Sequence, residues 1–225
     1  MPMRVRSHLI PALALTALWI ARSVRAEGQP ATVVRVEEKP RHHVVFENEA
    51  VRVIDARLPA GDVTLHHTHA ADNVPVVIRG GPLTIQPLGG APQRSVVRAG
   101  EASLARASYT HQIANIGPGP LRFVDVEIHT AWPPRGAGDP PVPAGHQVLV
   151  DDARVRVLRH RVIRADPDLH AGPVLAVAVP PGHEEASNGP LGAPAPGSYW
   201  WREARSRDVL LPPGTEVVEI ELKGL

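Results

Sequence analysis

The chain contains no cysteine. It therefore forms no disulfides, no thiolate can ligate a metal, and its core must suffice to hold the fold. Aromatic residues are scarce, at 4% of the chain, whereas prolines number 25. That combination fits many short strands separated by turns. Strong charge of either sign is also missing. The formal net charge is +1, which gives no basic footprint for nucleic acid. The length of 225 residues suits two small barrels, or one barrel with long extensions.

What is present begins with a segment unlike the rest. Arg4 and Arg6 give a positive start, and an apolar run from Leu9 to Ile20 follows, interrupted by Pro11. The run is too short to span a bilayer comfortably. Val24-Arg25-Ala26 then places small or modest residues where a signal peptidase cuts. Residues 1–26 are read as a signal peptide with cleavage after Ala26, making the mature protein periplasmic or secreted. The alternative is a retained N-terminal anchor, which Arg22 and Arg25 behind the run leave open. Removal of the segment takes the formal charge from +1 to −3.

The stretch with most chemistry is Gly61-Asp-Val-Thr-Leu-His66-His67-Thr68-His69-Ala-Ala-Asp72-Asn73, running on to Gly80. Alternate side chains of a strand share a face, so His67 and His69 point one way, and His66 and Thr68 the other. Two imidazoles on one inward face are a ready pair of ligands for a divalent transition metal. The competing reading is a polar strand with its histidines in water. Downstream lies Gly100-Glu-Ala-Ser-Leu-Ala-Arg106-Ala-Ser108-Tyr109-Thr-His111-Gln-Ile-Ala-Asn115.

With both stretches in view, the chain resembles the cupin superfamily. The first cupin motif is glycine, five residues, His-x-His, three or four residues, glutamate, six residues, glycine; Gly61, His67, His69 and Gly80 match it. The second is glycine, five residues, proline, x, glycine, two residues, histidine, three residues, asparagine; Gly100, His111 and Asn115 match it. The resemblance implies an all-β jelly-roll barrel in which His67, His69 and His111 converge on one metal ion. Three positions depart from it. Arg106 and Ser108 replace a proline and a glycine at turn positions. Asn73 stands where the glutamate belongs, so the motif's carboxylate is missing. Asp72 is the alternative fourth ligand, but neighbours on a strand face opposite ways, so at most one of Asp72 and Asn73 points inward without a bulge. The expected site has three histidines, with Asn73 or water completing the shell. Such a nitrogen-rich set suits Zn, Cu, Ni or Fe(II) better than Mg or Ca, and the cofactor expected is one divalent transition metal: Fe, Zn, Ni, Cu or Mn. Tyr109, two residues before His111, faces the same interior, either as a hydrogen-bond donor to a metal-bound group or as a barrel-filling aromatic. Asn115 is expected to shape a turn.

Other strands frame these motifs. Glu27–Arg41 reads as a loose leader, with His42 and His43 at the surface. Val44–Leu58 holds two strands around a Glu47-Asn48-Glu49 turn. Pro82–Leu88 and Ser95–Arg98 are short strands around Gly89-Gly90-Ala91-Pro92. Leu121–His129 alternates strictly, with Phe123, Asp125 and Glu127 on one face and Arg122, Val124, Val126 and Ile128 on the other.

A Pro/Gly-rich linker is expected over 131–146, separating a metal-binding domain (27–130) from a second half (147–225). The second half echoes the first: Asn48–Leu58 aligns with Asp152–Val162, and Phe123–His129 with Val217–Lys223. A repeat of this length suggests two tandem barrels. The second copy carries only His170 where the His-x-His would fall, and no histidine in Ala204–Asp208, so it is read as a degenerate barrel and a stabilising partner. His170 and His183 are expected at the surface. Tyr199-Trp200-Trp201 reads as packing for that barrel or as an aromatic platform at an interface or ligand mouth.

The function expected is a metal-dependent, dioxygenase-like enzyme acting on a small organic molecule. The alternative is a non-enzymatic periplasmic cupin that binds a small ligand or metal. The partners expected are that small molecule and, in a homodimer, a second copy; no nucleic acid, and no membrane after signal cleavage.

Overall fold

The structure is a computed structural model. It describes residues 31–129, 141–163, 172–183, 189–204 and 210–223. The expected signal peptide, His170, Arg205–Asp208 and most of the expected linker lie outside them. Among the described residues the strands are, in order, β1 (Val33–Arg35), β2 (His42–Glu47), β3 (Val51–Leu58), β4 (His66–His69), β5 (Asp72–Arg79), β6 (Gly81–Pro87), β7 (Gln93–Val97), β8 (Tyr109–Asn115), β9 (Leu121–Ile128), β10 (His146–Asp151), β11 (Val155–Arg161), β12 (Val174–Val179), β13 (Tyr199–Arg202) and β14 (Glu216–Leu222).

They form three sheets. A front sheet has the order β1-β4-β8-β6-β7, a middle sheet β2-β3-β9-β5, and a back sheet β10-β11-β14-β12-β13. The front and middle sheets enclose one apolar interior of Ala56, Leu58, Val77, Leu83, Leu121 and Phe123. This is the jelly-roll barrel expected for the first half. The leader is more structured than its sequence suggests. β1 runs parallel to β4, and Val36 and Lys39 behind it are buried.

Strand alternation has an unexpected consequence in the middle sheet. Register pairs β3 with β9 from Val51↔Ile128 to Leu58↔Leu121, so Asp125 and Glu127 share the inward face with Ile54 and Arg52. The outward face carries Val51, Val53, Val74, Val76, Val124, Val126 and Ile128. These residues pack in one core with Val155, Val157, Leu175, Val177, Val218, Ile220 and Leu222 of the back sheet. The middle sheet is thus buried on both faces, not half-buried as its alternation implied. The more apolar face meets the other half of the chain, and the face carrying acids looks into the barrel.

The repeat is visible in the pairing. Arg52 lies opposite Glu127 in the first half, and Arg156 opposite Glu221 in the second. The degeneracy of the second half takes a specific form: among the described residues it contributes one sheet, the counterpart of the middle sheet. The strands equivalent to the front sheet, which in the first half carry the histidine motifs, are not among them. The aromatic run does not form an open platform. Tyr199 donates a hydrogen bond to the Val45 carbonyl (2.8 Å), and Trp201 packs against the core shared by the two halves. Further ties between the halves are the ion pairs Arg106–Asp152 (2.7 Å) and Arg154–Asp72 (3.2 Å).

Two motif positions show why backbone freedom matters. A Cβ on Gly80 would sit 2.2 Å from the Val97 carbonyl oxygen, so only glycine fits. Ser108, in place of the second motif's glycine, adopts a left-handed φ of 62° while its N–H bonds the His69 carbonyl at 2.8 Å. An L-residue there carries a steric cost that glycine avoids, partly offset by glycine's larger entropy loss. Ser108→Gly is expected to stabilise the protein by about 0.5–1 kcal/mol, measured by denaturant unfolding. A loss of stability would contradict this account of the turn.

Candidate metal centre

The site is assembled by strand register. β4 and β8 run antiparallel with His67↔His111 and His69↔Tyr109 opposite one another. Cross-strand partners share a face, so His67, His69, Tyr109 and His111 all project into the barrel. The three imidazoles are buried, at 0%, 2% and 8% exposure. Their ring centroids are 4.4 Å (His67–His111), 5.2 Å (His67–His69) and 5.3 Å (His69–His111) apart, and one ligand atom from each lies within 4.8 Å of the others. His67 Nδ1 is held at 3.0 Å by the Leu65 carbonyl oxygen, to which it donates as the Nδ1–H tautomer; Nε2 is then the lone-pair donor. That Nε2 is buried with no hydrogen-bond partner.

The remaining expected residues separate cleanly. Asn73 is buried, faces inward opposite Glu127, and its Oδ1 has no hydrogen-bond partner. Asp72, the alternative, lies on the opposite face. It accepts from the Ala107 N–H at 2.8 Å and pairs with Arg106 and Arg154, so it is a link between the halves and not a ligand. Tyr109 stacks at a tilt on His111 (centroids 4.6 Å), and burial raises the pKa of its phenol. Asn115 shapes a turn as expected: its amide donates to the carbonyls of Leu58, Pro59 and Gly119 and accepts from the Gly117 N–H.

Three residues at the site were missed or misplaced by sequence reasoning. His42 is not at the surface. Register places it opposite Ala56 on the inward face, 5% exposed, with its ring 4.9 Å from that of His67. Its neighbour His43 is exposed, as expected. Glu127 is buried, with Oε1 3.4 Å from His69 Nδ1 and Oε2 3.2 Å from Arg52 Nη1. Asp125 lines the cavity beside it. The signal for both acids was the alternating Leu121–His129 segment. Its faces were read correctly, but which face turned inward depended on the third sheet.

The three histidines, His42, Asn73, Tyr109 and Asp125 border a cavity of about 380 Å³, lined mainly by apolar side chains including Leu83, Ile85, Val97 and Phe123. Burial holds the imidazoles of His42, His67 and His111 neutral. The pKa of His42 is pushed down to about 2, first by burial and then by the Lys39 charge; that of His67 falls to about 3 and that of His111 to about 2, in both cases chiefly by burial. Burial also raises Asp125 to about 6 and lowers the amine of Lys39 to about 8. Three converging imidazoles, those of His67 and His111 held neutral, an unpartnered amide oxygen and a carboxylate behind one ring fit a divalent transition metal.

No family model matches the chain, and no curated protein matches its sequence. Solved structures do match. AerE from Microcystis aeruginosa is 10% identical over 82% of this chain and 98% of its own, with a TM-score of 0.53. A variant of salicylate 1,2-dioxygenase from Pseudoaminobacter salicylatoxidans is 10% identical over 76% of this chain and 71% of its own, with a TM-score of 0.51. A cupin domain from Bordetella pertussis is 29% identical over 40% of this chain and 92% of its own, with a TM-score of 0.38. The likeness to the first two extends over most of this chain and is one of fold.

Two outcomes are expected of this site. The unfolded chain takes up protons on histidines near pH 6.5 that the folded chain refuses until pH 2–3. The stability these groups confer is complete above about pH 6.5 and is lost as pH falls. Asp125 acts in the opposite sense, because its value is raised from 3.8 to about 6. With three histidines against one carboxyl, metal-free protein should lose stability steadily from pH 7 to pH 4 in denaturant titrations; a flat or rising midpoint would refute the neutral-imidazole site. Separately, Glu127→Gln should weaken metal binding about tenfold or more in a chelator competition, with the fold retained. Unchanged affinity would remove Glu127 from the site.

Proposed function

We propose that the protein is an exported cupin metalloprotein, most simply a dioxygenase-like oxidoreductase acting on a small organic molecule. The observation that carries this reading is the trio of buried imidazoles set in the wall of an apolar cavity. Three protein nitrogens leave coordination positions open, which is the pattern of a catalytic rather than a structural site. His67, His69 and His111 would hold the ion, with Asn73 Oδ1 available as a neutral fourth ligand. A bound divalent transition metal supplies Lewis acidity and a place to bring O2 and substrate together.

The chain's own contribution is positioning. The Leu65 carbonyl fixes the His67 tautomer, and Glu127, itself held by Arg52, stands behind His69. Tyr109 presents a protonated phenol at the cavity wall, suited to donating a hydrogen bond to an oxygen of the substrate. The apolar lining excludes water and selects a compact, largely apolar body with few polar groups. Export rests on the character of residues 1–26.

A second reading, non-enzymatic binding of a small ligand or metal, is favoured by one observation: Asn73 in place of the motif's glutamate leaves the ion without a directly ligating charge. The experiment that separates the two uses mature protein from the periplasmic fraction, whose first residue should be Glu27. Elemental analysis should find metal, and His67→Ala should fold yet lose it. O2 uptake with phenolic or enol substrates, tested with Fe(II), Ni(II) and Cu(II), should be metal-dependent and absent in His67→Ala. Metal retention without O2 uptake would favour the binding reading; a His67→Ala variant that keeps its full metal content would overturn both.

A further inference from the structure

The back sheet carries a second cluster of metal-ligating side chains, on the face turned away from the barrel. β10 and β11 pair with His146 opposite His160, and β11 and β14 pair with Leu158 opposite Glu219. Leu158 and His160 share a face, so His146, His160 and Glu219 come from three adjacent strands and meet at one spot. His160 Nε2 lies 3.5 Å from Glu219 Oε1, and His146 Nε2 lies 3.9 Å from Glu219 Oε2. One ligand atom from each lies within 4.8 Å of the others. The two imidazole rings stack at 4.1 Å. All three side chains are largely buried, at 5%, 15% and 5% exposure. Ligands bonded at 2.0–2.2 Å to a tetrahedral ion stand about 3.3–3.6 Å apart, so this spacing is close to that of a loaded site.

The repeat relates this cluster to the first half. His146 occupies the position of His42, His160 that of Ala56, and Glu219 that of Asp125. None of the three corresponds to His67, His69 or His111, so the cluster is not a remnant of the histidine motifs.

We infer that His146, His160 and Glu219 form a second divalent-cation site of the zinc type, whose role is to staple the edge of the back sheet. Two imidazoles and one carboxylate are a zinc-compatible ligand set with a position left for water. Arg202 Nη2 bonds Glu219 Oε1 at 2.7 Å and orients the carboxylate, leaving Oε2 turned to His146. The site joins edge strand β10 to β11 and β14, in the half of the chain that, among the described residues, lacks a facing sheet of its own. An ion bound across three strands stabilises the folded state alone.

This inference does not depend on the three-histidine centre, and the test separates them. Full-length protein stripped with chelator is titrated with Zn(II), reading stoichiometry and thermal midpoint. The chain is expected to take two equivalents. His67→Ala should keep one, together with a Zn(II)-dependent rise in midpoint; His160→Ala should keep one, with the rise cut to what the barrel site alone gives; the double variant should bind none and show no rise. Glu219→Gln, which preserves the hydrogen bond to Arg202, should behave as His160→Ala and carries the test if the alanine variant does not fold. A His67→Ala protein that binds no Zn(II), or a His160→Ala or Glu219→Gln protein that binds as much as the parent, would overturn the inference.

Discussion

The first half of this protein is organised by one pairing, that of β4 with β8, which sets His67 directly across from His111. The convergence of the three imidazoles follows from that register. A slip by one residue would send all of the inward side chains of β4 outward, because alternation has a period of two. The pairing also sets an electrostatic condition. Buried imidazoles a few ångströms apart cannot all be charged, and burial holds two of the three well below their ordinary pKa. The neutral rings of His67 and His111 therefore offer lone pairs beside a mainly apolar cavity. Burial and register are thus one constraint seen from two sides: the barrel excludes solvent, and the pairing decides which side chains are excluded with it.

Much of this was legible in the sequence because the relevant signals are local. His-x-His on a strand fixes two imidazoles on one face, whatever the strand packs against. The turn at Asn48 was legible for the same reason: its side chain accepts from the N–H groups of Ala50 and Val51 at 2.9 and 2.8 Å, a bond within four residues. His111 and Asn115 came from motif spacing, and both stand where that spacing implied. What could not be read was the identity of the neighbour on each face. His42 precedes a strand with an unremarkable pattern, and only its position opposite Ala56 shows that it looks inward. Asp125 and Glu127 sit on a face that a two-layer protein would present to water. A third layer, built from residues far along the chain, takes up the apolar face instead.

That third layer explains the asymmetry between the two halves. The repeat preserves the parts that meet back to back: Val53 and Val126 face Val157 and Ile220 in one core, and each half keeps its Arg–Glu pair on the opposite face. Among the described residues, the repeat does not preserve the front sheet, and with it go the strands that carry the histidine motifs. Among the described residues, the second half keeps what covers the first and lacks what would bind in the same way. Its loss of the histidine motifs and its value as a cover are therefore a single structural fact.

The missing glutamate of the first motif can be weighed in the same terms. Asn73 occupies its position and lies directly opposite Glu127 on the neighbouring strand. A carboxylate is thus still present at that level of the barrel, but on β9 and behind His69, not on β5 beside the ion. The exchange alters the charge that touches a bound metal while leaving the charge that surrounds it. A directly bound carboxylate would neutralise part of a divalent cation; one acting through an imidazole raises the basicity of that ring and fixes its orientation instead. Arg52 shares Glu127 with His69, at 3.2 Å from Oε2, and so offsets part of that carboxylate's charge. The result is a candidate centre whose nearest carboxylate stands 3.4 Å behind one ring and not beside the position of an ion. In such a centre the three imidazoles would hold the ion, and the Arg52–Glu127 pair behind them would tune how strongly they do so.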